Sequence, residues 1–257
     1  MTEGPRAMSG KKERLDLLVH HKGYAPSRET AHGMILAGHV FVDDRKVDKP
    51  GTKVDPASAI EVRGPARKYV SRGGEKLEAA LHAFGIDVRD KATLDVGAST
   101  GGFTDCMLQH GARKVYAVDV GYGQFAWSLR TDPRVVVIER TNIRHVQPDL
   151  LPEKVDLAVV DVAFISLKLV LEPVISLMKE ESDLVTLVKP QFEAGREQVG
   201  KGGVVRDPEV HEQVVNSVVD FAVSIGLACD GTIESPLLGP AGNREFLAHF
   251  LRSSTAL

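Results

Sequence analysis

The chain has 257 residues, 43% hydrophobic and 26% charged, with a formal net charge of −3. Those values fit a globular protein with room for one large domain or a medium and a small one. They exclude a membrane span, since no apolar run is long enough, and residues 1–12 lack the apolar stretch of a secretory signal. Cys106 and Cys229 are too few for a disulfide framework or a zinc site, so inert thiols, no metal and a cytoplasmic setting are expected. Charge is uneven: residues 1–76 carry 15 Lys/Arg against 10 Asp/Glu, and the remainder 17 against 25. A basic N-terminal module on an acidic body suits a polyanionic partner, although an ordinary solvated surface gives the same tally.

In chain order, Arg14-Leu15-Asp16-Leu17-Leu18-Val19 opens a helix that Gly23 ends. Ser27 caps a second helix over residues 28–37, with Ala31, Met34 and Ile35 at helical spacing and Gly38 as its stop. Residues 39–44 read as a strand entering a turn, and Ile60-Glu61-Val62 as a last strand. Residues 12–63 thus form two short helices followed by a small sheet. On Arg14-Leu15-Asp16, Ser27-Arg28, Ala37-Gly38-His39-Val40 and residues 42–50, this module resembles the S4 RNA-binding domain. The resemblance implies a grip on structured RNA through Lys12, Arg14, Arg28 and Lys49, contacts that orient without reading sequence. Residues 64–70, Gly-Pro-Ala-Arg-Lys-Tyr-Val, read as a short linker that constrains the two domains.

Residues 71–257 read as the large domain. Ser71-Arg72-Gly73-Gly74 leads into a helix over 75–84, with Lys76 beside its apolar stripe. Leu94-Asp95-Val96 ends a buried strand, followed by Gly97-Ala98-Ser99-Thr100-Gly101-Gly102 and a helix from Phe103. The dinucleotide fingerprint is G-x-G-x-x-G. Here the spacing is G-x-x-x-G-G and no phosphate-loop Lys-Ser follows, which suits a nucleoside carrying an amino acid, S-adenosylmethionine (SAM). A glycine-rich turn of any α/β domain remains the alternative. Residues 114–118 form a second strand ending at Asp119, at the spacing of a ribose-binding acid. A helix to Arg130, a strand over 135–138 and a polar loop with Asn142 follow. Residues 157–160 form a strand ending in Asp161, residues 167–178 a helix, and residues 184–188 a strand delivering Lys189-Pro190. Residues 191–207 read as an irregular, mobile loop, then a helix to Ile225 and a hairpin of 228–233 with 244–251. Such alternation implies a mostly parallel sheet with ligands at its strand C-termini.

Taken together, Ser71 to Leu77, Asp95 to Asp105, Asp119 to Gln124, Glu139 to Asn142, Asp161 to Ser166, Leu187 to Glu193 and Gly239 to Glu245 resemble the TlyA family, also labelled haemolysin A. Those are RNA 2′-O-methyltransferases whose catalytic domain is similar to the FtsJ class. The resemblance implies an α/β, Rossmann-like, SAM-dependent methyltransferase domain behind an α+β S4 domain. It implies a Lys-Asp-Lys-Glu tetrad at Lys76, Asp161, Lys189 and Glu245, and SAM contacts from Gly97, Ser99, Thr100, Gly101, Gly102, Phe103, Asp119, Val120, Asn142 and Asp161. It further implies methylation of cytidine ribose in ribosomal RNA; a monomer is expected. Members acting on both subunits usually carry an extended C-terminal helix, and this chain stops at Leu257, so 23S rRNA is expected ahead of 16S.

A ribose hydroxyl is a poor nucleophile, so positioning and a proton acceptor dominate the chemistry. Lys189, expected beside Lys76 and partly desolvated, would in its neutral form polarise or deprotonate the hydroxyl, while Asp161 orients it and Lys76 and Glu245 hold the ribose and the lysine network. Phe164 is the candidate platform for a flipped base. The competing readings are a membrane-lysing haemolysin, a non-catalytic RNA-binding assembly factor and a pseudouridine synthase.

Overall fold

The computed structural model describes residues 12–25, 27–63 and 68–253. It divides into two compact units, Met1–Ala66 and Arg67–Leu257. In the first, β1 (Glu13–Arg14) leads into α1 (Leu15–His21), α2 (Arg28–Leu36), β2 (Val40–Val42), β3 (Arg45–Lys46), β4 (Lys53–Val54) and β5 (Ile60–Val62). Strands β3, β2 and β5 form an antiparallel sheet, and β1 pairs with β4. The Ser27 hydroxyl accepts from Thr30 N at 3.1 Å, the N-cap expected from its sequence position. Asp43 and Asp44 both take positive φ, +48° and +64°, as a two-residue hairpin between twisted strands requires. Leu15, Leu18, Val19, Ala31, Ile35 and Val40 close the core of this unit.

The second unit runs α3 (Gly73–Phe84), β6 (Ala92–Val96), α4 (Gly102–Gln109), β7 (Lys114–Val118), α5 (Trp127–Arg130), β8 (Val135–Ile138) and β9 (Val155–Val160). Then come α6 (Leu171–Ser176), β10 (Met178–Val188), α7 (Pro190–Glu193), α8 (Pro208–Ser224), β11 (Leu227–Glu234) and β12 (Phe246–Arg252). The seven-stranded sheet has the order β11-β12-β10-β9-β6-β7-β8, parallel from β10 to β8 and antiparallel at β12 and β11. Alternate residues of each central strand feed two cores. Leu94, Val96, Ala158, Val160 and Leu184 face one side, and Val115, Ala117, Leu157, Val159 and Val185 the other. Burial on both faces is why these strands read as unbroken apolar runs. The chain steps outward from β6 to β7 and β8, then returns to β9 on the other side of β6. That reversal opens a crevice at the carboxyl ends of β6 and β9, where open α/β sheets bind ligands.

Three expectations are corrected. The helix expected over 167–178 is a single 3-10 turn plus α6, and Met178 already belongs to β10. Strand β10 is longer than its apolar stretch because Asp183 is held by Lys91 Nζ at 2.8 Å and His249 Nε2 at 3.0 Å, partners distant in sequence. Residues 191–207 are not wholly irregular. They hold α7, a 3-10 turn at Arg196–Gln198 and a bridge between Gly200 and Val204. Buried Asn243 secures that stretch, accepting from Val205 N and donating to Gly203 O, each at 2.9 Å. Of the expected linker, residues 64–67 lie outside the described residues. Tyr69 is buried, and Val70 N donates to Asp105 Oδ2 at 2.8 Å. Among the described residues no helix is long and apolar enough to cross a membrane.

Candidate active site at the carboxyl edge of the sheet

A cavity of about 1170 Å³ opens where β6, β7 and β9 end, and a smaller one of about 240 Å³ shares Gly97, Ser99 and Asp161 with it. Asp119, Val120 and Asn142 line the larger cavity, and Thr100, Gly102, Phe103, Lys76 and Asp95 the smaller. Gly101 lines neither. It caps α4 at φ +97°, with Phe125 and Leu129 where a side chain would stand. The other turn glycines answer to packing as well. A Cβ on Gly97 would run into the Asp161 carbonyl, and one on Gly102 into Ser71 Oγ. Glycine at these positions lets β6, β9 and the start of α3 meet, and the cavity forms beside that junction.

Asp119 is braced by backbone donors, from Ser99 N at 2.7 Å and Gly121 N at 2.6 Å. Each oxygen keeps a lone pair for a ligand hydroxyl. Asn142 accepts from Arg144 N at 3.1 Å as the cap of a 3-10 turn, leaving its amide donors to face the cavity or solvent. Phe164 is 90% exposed with φ +62°, and its ring lies 5.0 Å from Phe192. Exposure this large rules it out as a core aromatic. Glu193 steadies the loop that carries it, accepting from Ser166 Oγ at 2.6 Å and Leu167 N at 2.7 Å, and burial raises its pKa despite those donors.

The four expected tetrad residues assemble as two ion pairs. Lys76 Nζ donates to Glu245 Oε2 at 2.5 Å, with side chains 10% and 1% exposed. Lys189 Nζ stands 2.5 Å from Asp161 Oδ1, a close ionic contact outside hydrogen-bond geometry. Opposite charges pair here, so each lysine faces a carboxylate. Asp161 lines both cavities and Lys76 the smaller one, with Lys189 and Glu245 joined to them through these pairs.

Asp95 was not among the expected site residues. One oxygen accepts from Thr104 N at 2.9 Å and Thr104 Oγ1 at 2.6 Å, and the other is buried without a protein partner. Burial, opposed by the Thr104 donors and aided by the charge of Asp161, lifts its pKa to about 7. The available signal was a lone carboxylate inside the apolar strand Ala92–Val96. A carboxyl whose folded pKa exceeds its unfolded value stabilises the fold most at low pH, and that stability drains away as pH rises through about 4 to 7. Between pH 5 and pH 7 the group should therefore cost about 2 kcal/mol. Asp95→Asn should flatten this slope and raise the thermal midpoint at pH 8; a pH series of melts with an unchanged slope would refute it.

Outside the cavities, Glu78, His82 and His110 bring possible metal-ligand atoms within 4.8 Å of one another. Glu78 is already paired with Lys68, and His110 Nδ1 with the Cys106 carbonyl at 2.8 Å. In the first unit, Lys12 and Lys49 are exposed, while Arg14 and Arg28 converge on buried Asp16.

Comparison with known proteins bears on this arrangement. The family model for FtsJ-like methyltransferases matches residues 69–252, and that for the S4 domain residues 13–60. YqxC of Bacillus subtilis, named as a candidate rRNA methyltransferase, is 51% identical over 94% of this chain and 86% of its own. The 16S/23S rRNA (cytidine-2′-O)-methyltransferase TlyA of Mycobacterium tuberculosis is 47% identical over 95% of this chain and 91% of its own. A hemolysin-designated protein from Streptococcus thermophilus, of solved structure, superposes with a TM-score of 0.74 at 46% identity, covering 95% of this chain and 90% of that one. The chain belongs to the FtsJ-like methyltransferases, in the TlyA family that joins such a domain to an S4 domain.

Proposed function

We propose that this protein methylates the 2′-hydroxyl of a cytidine in ribosomal RNA, with SAM as donor, 23S rRNA as the first target and 16S rRNA as the second. Residues 12–63 would grip structured RNA, residues 71–257 would carry out the transfer, and residues 64–70 would join them. The observation that carries this reading is the pair of lysine–carboxylate contacts, Lys76 with Glu245 and Lys189 with Asp161, gathered beside the crevice between β6 and β9.

The residues present fit SAM. Asp95 offers a buried carboxylate oxygen without a partner, suited to an ammonium, and Asp119 offers a braced carboxylate suited to a ribose diol. Val120, Ile143 and Val162 give apolar wall for a base, with Asn142 at its edge. Bound SAM supplies an electrophilic methyl on its sulfonium. The protein's part is to hold the ribose hydroxyl in line and to take its proton. Lys189 Nζ, having first released its own proton to solvent, would accept the hydroxyl proton as the oxygen–methyl bond forms and the sulfonium–methyl bond breaks, and Asp161 would anchor Nζ and balance the ammonium so regained. Lys76, fixed by Glu245, orients the ribose from the smaller cavity, and Phe164 with Phe192 offers the exposed face on which a flipped base stacks.

The test is incorporation of labelled methyl from SAM into ribosomal RNA and subunits, followed by mass-spectrometric mapping. Label at the ribose of a cytidine, lost from cells lacking the protein, is expected. Label on a base, or none with either substrate, would overturn the reading. Lysis of SAM-free liposomes would favour a membrane activity instead.

A further inference from the structure

Within the first unit, the two arginines expected to touch RNA are not independent surface charges. Arg14 meets Asp16 in a fork, Nε to Oδ1 and Nη2 to Oδ2, both at 3.0 Å. Arg28, arriving from α2, donates its Nε to the same Oδ2 at 2.9 Å. Asp16 itself is 1% exposed, while the arginine side chains remain 44% and 54% exposed. The Arg14 hydrogen bonds hold the Asp16 carboxyl well below the usual carboxylate range, against its burial, so it stays ionised. Asp16 is held in turn by the backbone. Its N–H donates to Pro50 O at 3.0 Å and Oδ1 accepts from Leu17 N at 3.1 Å. Leu15 N donates to Thr52 O at 2.8 Å, and β1 sets Arg14 opposite Lys53. The buried carboxylate therefore ties Arg14 at the start of α1 to Arg28 of α2, while the backbone bonds beside it hold the segment carrying Lys49 and Lys53 against the same strand.

We propose that Asp16 is a positioning residue for RNA binding: it locks the two guanidinium planes so that their remaining N–H donors are aimed outward as a preformed phosphate clamp. This rests on the reading that Arg14 and Arg28 contact RNA. The cluster carries one net positive charge, because one carboxylate offsets one of two arginines. Charge and geometry then make opposite predictions for Asp16→Asn. As loose charges, the arginines would bind RNA more tightly once the carboxylate is neutral. As an aligned clamp, they would bind it less tightly, since each freed side chain must be ordered at the moment of binding.

The experiment measures binding of the full chain to an unmodified 23S rRNA transcript across a salt series, alongside thermal melts. The expected result for Asp16→Asn is a Kd weakened about tenfold, the scale of lost charge-assisted hydrogen bonds. The salt slope should also become shallower by about one, as for a lost phosphate contact. Asp16→Glu should restore part of both. Tighter or unchanged binding with an intact fold would overturn the proposal. Should Asp16→Asn lose its fold, Arg14→Lys and Arg28→Lys decide: they keep the charge but not the planar fork, so each should weaken binding several-fold, and wild-type affinity in both would refute the clamp. Arg14→Ala and Arg28→Ala without effect would instead remove the underlying reading that these arginines contact RNA.

Discussion

Lys189→Ala should lower the single-turnover methylation rate by about 10²- to 10⁴-fold, the usual contribution of a positioned proton acceptor. SAM affinity, measured by calorimetry, should stay within a few-fold. Lys189 sits at the carboxyl end of β10, just before the Pro190 that opens α7, and its side chain is 14% exposed. Its loss leaves the Asp161 carboxylate, 23% exposed, able to recruit water, so the fold should survive and the rate effect can be read directly. Lys189→Arg refines the test. Arginine keeps the positive charge beside Asp161 but stays protonated and cannot take up a proton. An inactive arginine variant supports proton transfer at Nζ. An active one would mean that Lys189 serves only to hold negative charge.

The second large effect concerns the Lys76–Glu245 pair, which joins α3 to the segment entering β12. Lys76→Met should destabilise the large unit by about 3–5 kcal/mol, because it strands a nearly fully buried carboxylate. The double variant Lys76→Met, Glu245→Met should recover most of that loss, since replacing both members of a buried pair by apolar side chains is often neutral. Activity should not return with stability. Denaturant melts and methylation assays on the three proteins separate the two roles. A Lys76→Met protein as stable as wild type would show that the pair does not bear on folding, and a fully active double variant would remove it from the site.

Much of the architecture was legible from local pattern. The strands at 114–118, 135–138 and 60–62 fall where their apolar or β-branched runs lie between turn residues, and Ser27 caps α2 as its position implied. These signals are local: each depends on a few neighbours and survives without knowledge of the rest of the chain. The carboxyl edge of the parallel sheet could likewise be inferred, because alternating strands and helices leave few topologies.

Pairings across long sequence separations were not legible. Nothing near residue 76 announces a partner at residue 245, and nothing in the polar stretch 179–183 reveals that Lys91 and His249 will satisfy Asp183 in a strand. Asp95 read only as part of a strand end, yet burial turns it into a carboxyl with a pKa of about 7 and one oxygen unclaimed. The glycines after it looked like room for a ligand, and their neighbours prove to be Asp161, Ser71 and Phe125. Composition and period thus specify which elements form and which face of each turns inward. Which charges meet, and how far each is withdrawn from water, is settled only when distant segments pack, because Coulomb energy and desolvation depend on separation in space and not along the chain.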